Sequence, residues 1–258
     1  MNTLLDLSAI LPTAFGFWNS KVLLTAVEMA VFTKLGHRHL SGASLGAELP
    51  LHPRAIADFF DALVAMIMGA MNGICRMNFE LFAEKFDFSN YRTLCDVGGA
   101  TGLLCIESAK RHSHLRCVSF DLPAVQSIAR KHVAAAGWED RIAAAGGDFF
   151  TDPLPKADVI TMGMILHRWN LEKKMHLIRS AYEALPPGGA FVVIEALTND
   201  ARHENVQGLM MSPDMLIEFS DAFDSSGADF RGWCREAGFQ RFEITPLAGR
   251  SSAAVAYK

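Results

Sequence analysis

The chain has 258 residues and a formal net charge of −4, with 50 % apolar and only 20 % charged residues. That length suffices for one sizeable core plus a smaller helical domain. The charge balance excludes the basic footprint of a nucleic-acid binder, and so apolar a composition points to a subunit interface that hides part of the surface.

Cys75, Cys95, Cys105, Cys117 and Cys234 form no C-x-x-C pair and are odd in number, which reads as free thiols in a reducing cytoplasm. The start of the chain lacks the basic, apolar, small-residue order of a signal peptide. The apolar run 22–32 is broken by Thr25 and Glu28 and is too short to span a bilayer. A cytoplasmic protein without a membrane partner is expected.

Taken in chain order, residues 1–70 read as helices. A first helix over 4–11 should stop at Pro12, because proline removes an amide donor. Ser20 can cap a second, with Leu23, Leu24, Val27, Val31 and Phe32 on one face and Gly36 at its end. A short helix and turn follow over 41–49. Pro53 then opens a longer helix over 54–68, with Ile56, Phe59, Phe60, Leu63 and Val64 inward. Short helix, turn and longer helix resemble a winged-helix unit, but Asp58 and Asp61 stand where a DNA-reading helix would show Arg, Lys, Asn or Gln. Packing or dimerisation is the expected role. Residues 72–90 read as a linker helix with a stripe of Ile74, Met77, Phe79, Phe82 and Phe86.

From residue 91 strands alternate with helices, which argues for a parallel sheet covered on both faces. Strands are expected at 93–97, 116–120, 142–145, 157–162 and 191–195, with helices near 102–111, 123–136 and 171–185. Runs at 241–245 and 253–257 suit an antiparallel pair on the sheet edge. The expected domains are 1–90 and 91–258.

The first strand ends in Asp96 and runs into Val97-Gly98-Gly99-Ala100-Thr101-Gly102. Glycines let the chain turn sharply and its backbone touch a ligand, at the carboxyl edge where open α/β sheets bind. A nicotinamide fingerprint fails, because Val97 stands where its first glycine belongs. A phosphate-free, cationic adenosine cofactor such as S-adenosylmethionine tolerates the Asp96 carboxylate. Asp121, after the second strand, can accept both ribose hydroxyls; the same Asp121-Leu122-Pro123 can also simply start a helix. In Gly147-Asp148-Phe149-Phe150 an acid can bond an adenine amino group and a ring can cover its face, or the rings can be plain core.

Two further segments complete a pattern: Cys95 to Gly102 is followed by Phe120 to Pro123, by Gly147 to Phe150, by Leu166-His167-Arg168-Trp169, and by Leu185-Pro186-Pro187-Gly188-Gly189. In this order the set resembles the caffeate/acetylserotonin type of O-methyltransferase and its bacterial relatives. The resemblance implies an α/β fold, a Rossmann-like seven-stranded class I methyltransferase sheet behind a winged-helix-like dimerisation domain. It implies a homodimer and methylation of a hydroxyl on a small, often aromatic, molecule. By position His167 matches the catalytic base, with Glu195 and Asp224 as the carboxylates that orient it. The cofactor set is Asp96, Gly98, Gly99, Gly102, Asp121, Leu122, Asp148, Phe149 and Trp169. Met211, Met215 and Phe219 match the acceptor pocket, or form a core stripe on one helix. No metal is implied, since the nine histidines show no ligand spacing.

Two departures stand out. Arg168 occupies the place of a family aspartate. Residues 66–72 join two helices directly where the family has a wing and further helices, so a block of several tens of residues is missing. Besides an active enzyme, a dimeric scaffold that binds cofactor but has lost part of its acceptor pocket is therefore an open reading.

Overall fold

The computed structural model describes residues 11–36, 38, 40–200 and 221–258. They cluster into two compact units, Met1–Met71 and Asn72–Lys258. The first is helical: α1 Leu11–Glu28, α2 Val31–Leu35, α3 Gly42–Gly46 and the start of α4 Ala55–Lys85. Its small core gathers Ala26, Val31, Leu45, Leu49 and Leu63. Short helix, turn and long helix are present as α3 and α4, and no strand occurs in this unit among the described residues.

Several helix limits differ from expectation. Leu11 opens α1 rather than closing an earlier helix, and Pro12 sits in its first turn, where a missing amide breaks no intrahelical bond. Ser20 is therefore inside α1 and caps nothing. The break comes at Ala30, in the left-handed region with φ 53°. Ser41 does cap α3, its side chain accepting from the Ser44 amide at 3.1 Å.

The expected helices over 54–68 and 72–90 are one continuous helix, α4, and the boundary between the units falls inside it. Gly69 lowers helix propensity without ending the helix. Residues 72–85 thus cluster with the sheet, because Cys75, Phe79, Phe82 and Ala83 are buried there. Val64, expected inward, is 40 % exposed; Ile74 and Met77 leave the expected stripe and are more than 60 % exposed. By length and composition α4 is the one described helix that could cross a bilayer, a property concealed by dividing it at Gly69. Its C-terminal turns, with Phe79, Phe82 and Ala83, are buried in the second unit.

The second unit is built on seven strands: β1 Thr93–Val97, β2 Arg116–Asp121, β3 Ile142–Gly146, β4 Val159–Gly163, β5 Ala190–Glu195, β6 Arg241–Pro246 and β7 Ser252–Tyr257. Their order is β3-β2-β1-β4-β5-β7-β6. The first five are parallel, and β7 runs antiparallel to both β5 and β6. Every residue of β5 is buried, as expected for a central strand covered on both faces. The covering helices are α5 Leu103–Arg111, α6 Pro123–Ala135, α7 Leu171–Ala184 and α8 Gly227–Ala237. The last was not foreseen. Ser226 starts it with a capping box in which its hydroxyl accepts from the Asp229 amide and the Asp229 carboxylate accepts from the Ser226 amide. All five cysteines are free and buried.

Candidate active site

All the expected site residues within the described part lie in the second unit, at or just after the carboxyl ends of β1 to β5, except Asp224, which lies in the loop before α8. The turn after β1 is built for close approach. Gly98 has φ 72°, and a Cβ there would stand 2.3 Å from Ile165; one on Gly99 would stand 2.4 Å from the Ser119 hydroxyl. Any side chain at either position would collide with these neighbours and force the turn apart. Gly102, at φ 77°, starts α5. The neighbouring Thr101 is tied down twice. Its hydroxyl donates to Asn72 Oδ1 at 2.7 Å, and its carbonyl lies 2.9 Å from His132 Nδ1.

Two carboxylates bracket this turn. Asp96 is 3 % exposed and accepts from the Thr161 hydroxyl at 2.7 Å, because the two residues are register partners on β1 and β4. Burial pushes its carboxyl up to about 7, the Thr161 bond opposing and the Asp121 charge adding to the rise. Asp121 accepts from the Ala100 amide at 2.9 Å and the Leu122 amide at 2.7 Å. It uses one oxygen for each, which leaves a lone-pair site on each for a diol. Burial raises its carboxyl, opposed by these amides and by the Arg168 charge.

The third loop supplies aromatic surface. Asp148 turns inward to accept from the Phe150 amide at 2.9 Å. Phe150 meets Trp169 edge-to-face at 4.8 Å, and Phe149 lies near both Trp169 and the Gly98 position. The Trp169 indole nitrogen is buried without a hydrogen-bond partner. A buried donor left so is costly and marks a place for an acceptor atom. Glycine cradle, half-used Asp121 carboxylate, aromatic wall and orphaned indole together fit an adenosyl cofactor.

A short 3-10 turn, Leu166–Arg168, follows β4 and holds His167, which is 5 % exposed. Its amide donates to Glu195 Oε1 at 3.0 Å. On the ring, Nε2 lies 3.2 Å from the Met164 carbonyl and Nδ1 lies 3.5 Å from Asp224 Oδ1, a charge contact longer than a good hydrogen bond. Burial alone would depress this imidazole, but Asp224 and Glu195 outweigh it and hold the pKa above the ordinary histidine value. Glu195, the last residue of β5, is 2 % exposed, and burial raises its carboxyl. The structure thus brings His167, Glu195 and Asp224 together. Met211, Met215 and Phe219 lie outside the described residues.

The sequence pattern did not reveal Lys174. Fully buried on α7, its ammonium donates to the Phe223 carbonyl and lies 3.3 Å from the centre of the Phe223 ring. In Glu172-Lys173-Lys174 it reads as one more solvated helix charge.

Comparison with known proteins agrees with this geometry. Residues 58–240, more than half the chain, match the O-methyltransferase domain family. The 8-O-methyl transferase TcmO of tetracenomycin polyketide synthesis from Streptomyces glaucescens is 27% identical over 325 residues, covering 96% of each chain. A 3-hydroxy-5-methyl-1-naphthoate 3-O-methyltransferase from Streptomyces sahachiroi is 38% identical over 157 residues, which is 60% of this chain but only 45% of that enzyme's length. In fold, the chain superimposes on human N-acetylserotonin methyltransferase in complex with S-adenosylmethionine with a TM-score of 0.70 and 21% identity, covering 100% of this chain and 99% of that one. The β3-β2-β1-β4-β5-β7-β6 sheet, the cradle after β1 and the family match lead to one assignment: the chain belongs to the S-adenosylmethionine-dependent O-methyltransferases.

Proposed function

We propose that this enzyme methylates a hydroxyl of a small aromatic molecule, with His167 as general base. The carrying observation is the buried imidazole set between Glu195 and Asp224, one residue from Arg168, whose charge is felt by both His167 and Asp121. Base and cofactor cradle are therefore neighbours. The polyketide and naphthoate substrates named for the relatives support an aromatic acceptor.

The cofactor supplies an electrophilic methyl group on a sulfonium. Gly98, Gly99 and Gly102 admit it, Asp121 holds the ribose diol, and Asp148, Phe149 and Trp169 frame the base. Asp96 and Leu122 complete the cradle. For Nε2 to take the hydroxyl proton as the oxygen attacks, the ring proton must sit on Nδ1, where Asp224 stands 3.5 Å away to accept its hydrogen bond as the contact closes. For that the Met164 carbonyl must give up its contact with Nε2 to the acceptor. Most of the acceleration comes from holding the two reactants in line. Met211, Met215 and Phe219 are proposed to line the acceptor pocket, and the apolar residues exposed on α1 and α4 to form a homodimer interface.

The test is methyl transfer from labelled cofactor to a panel of phenolic and polyketide acceptors. His167→Ala should bind S-adenosylhomocysteine as the parent does and lose ~10²-fold or more in turnover. Transfer at the parental rate would make His167 structural. A second reading, a cofactor-binding scaffold with an incomplete acceptor pocket, is supported by the TcmO comparison, which spans 325 residues against the 258 of this chain. Tight cofactor binding with no transfer to any acceptor, restored by grafting a relative's wing and helices between Gly69 and Ala70, would establish that reading instead.

A further inference from the structure

Among the described residues Lys174 is a fully buried cation close in sequence and electrostatics to the proposed base's carboxylates, and the methyl-transfer chemistry above does not use it. It projects from α7 with no exposure to solvent. Its ammonium donates to the Phe223 carbonyl and lies over the rings of Phe223, at 3.3 Å, and Trp233, at 5.3 Å. Burying a long charged side chain completely is costly unless the charge is paired. The groups that act on it are the carboxylates of Glu195 on β5, Asp224 in the loop before α8, and Asp229 in the first turn of α8. Two of these three are the carboxylates that flank His167, and the residue bonded to the ammonium directly precedes Asp224.

We infer that Lys174 is a positioning residue for methyl transfer: fixed on the Phe223 carbonyl, its positive charge offsets Glu195 and Asp224 and so keeps His167 available as a neutral base. This rests on His167 being the base. The electrostatics of the cluster are simple to sign. Two buried carboxylates next to an imidazole favour the imidazolium, which cannot accept a proton. A third partner of positive charge favours the neutral ring. Arg168, on the 3-10 turn, acts in the same direction from the exposed side. Burial pulls the Lys174 pKa down to about 8, so the offset weakens in alkaline solution.

The experiment compares the pH profile of kcat/KM for the acceptor in the parent, Lys174→Met and Lys174→Gln. Methionine conserves the straight-chain volume, and glutamine keeps a donor for the Phe223 carbonyl. Both remove the charge. The acid limb, which reports the base in the free enzyme, should move to higher pH by roughly one unit, while the affinity for S-adenosylhomocysteine is unchanged. A merely structural lysine predicts the opposite: a loosened Asp224 would leave His167 less basic and move the limb to lower pH. A limb that stays or falls in either folded variant overturns the inference. If neither variant folds, histidine-labelled parent protein answers by NMR. The His167 ring resonances should then shift again, beyond the imidazole's own titration, as Lys174 discharges at about 8, and resonances that stay unchanged there overturn the inference. Failure of the base assignment is seen separately, as full activity in His167→Ala.

Discussion

Asp96 shows how much one buried carboxyl can control. Its pKa of about 7 is a property of the protein without ligand, and burial is the main cause. A cationic cofactor brought close to it favours the charged form and pulls that pKa down. The complex then carries fewer protons than the free enzyme. Affinity for S-adenosylmethionine should accordingly rise with pH, by up to ~tenfold per unit, and level off above about 7. Calorimetry from acid to mildly alkaline pH measures this, and Asp96→Asn should flatten the dependence. A flat profile in the parent would place the cation away from Asp96. The residue scale is also where the sequence was most and least readable. Asp96, Asp121 and His167 could be found because each lies at or just after the end of a strand in a motif of fixed spacing. Lys174 could not, because its burial is set by Phe223 and Trp233, which lie far along the chain.

At the scale of elements, the strands were legible because β1, β4 and β5 are short apolar runs closed by glycine, proline or a polar turn. Helix limits in the N-terminal half were not, since Pro12 and Ser20 each suit more than one position in a helix. The helix α8 escaped notice although Ser226 and Asp229 carry its start signal, because few of its side chains are fully buried and its apolar pattern is thin. The long helix α4 contradicts the expectation of two helices, and it carries Gly69 and Gly73 in exposed positions where a Cβ would meet nothing. Replacing either with alanine should stabilise the fold by about 0.5–1 kcal/mol, seen as a rise in Tm of a few degrees. No change, or a fall, would mean that α4 is not helical through this stretch in solution.

At the scale of the whole molecule, several large apolar side chains stand exposed among the described residues. Phe17, Trp18 and Val27 on α1 and Ile74 and Met77 on α4 are each 57–63 % exposed. Along α4, Val64, Ile67, Ile74 and Met77 recur at helical spacing, the pattern of a face that meets another helix. Light scattering at micromolar concentration should return the mass of a dimer. That mass should persist in high salt, because the contact is apolar rather than ionic. Ile74→Glu with Met77→Glu should lower it, and a monomeric parent would count against the interface.

The bond from the Thr101 hydroxyl to Asn72 has a consequence in time rather than in space. Thr101 belongs to the turn proposed to take the cofactor, and Asn72 sits in α4 between two glycines that weaken that helix. A helix with such a weak point opens locally and often, and its amides exchange with solvent accordingly. Ligand in the cradle removes freedom from Thr101, and through this bond it should lengthen the closed lifetime of the turns around Asn72. Hydrogen exchange followed by mass spectrometry should show peptides over 72–79 slowed several-fold by saturating S-adenosylhomocysteine, and Thr101→Val should abolish most of that slowing. Identical rates with and without ligand would mean that the cradle and the helix breathe independently.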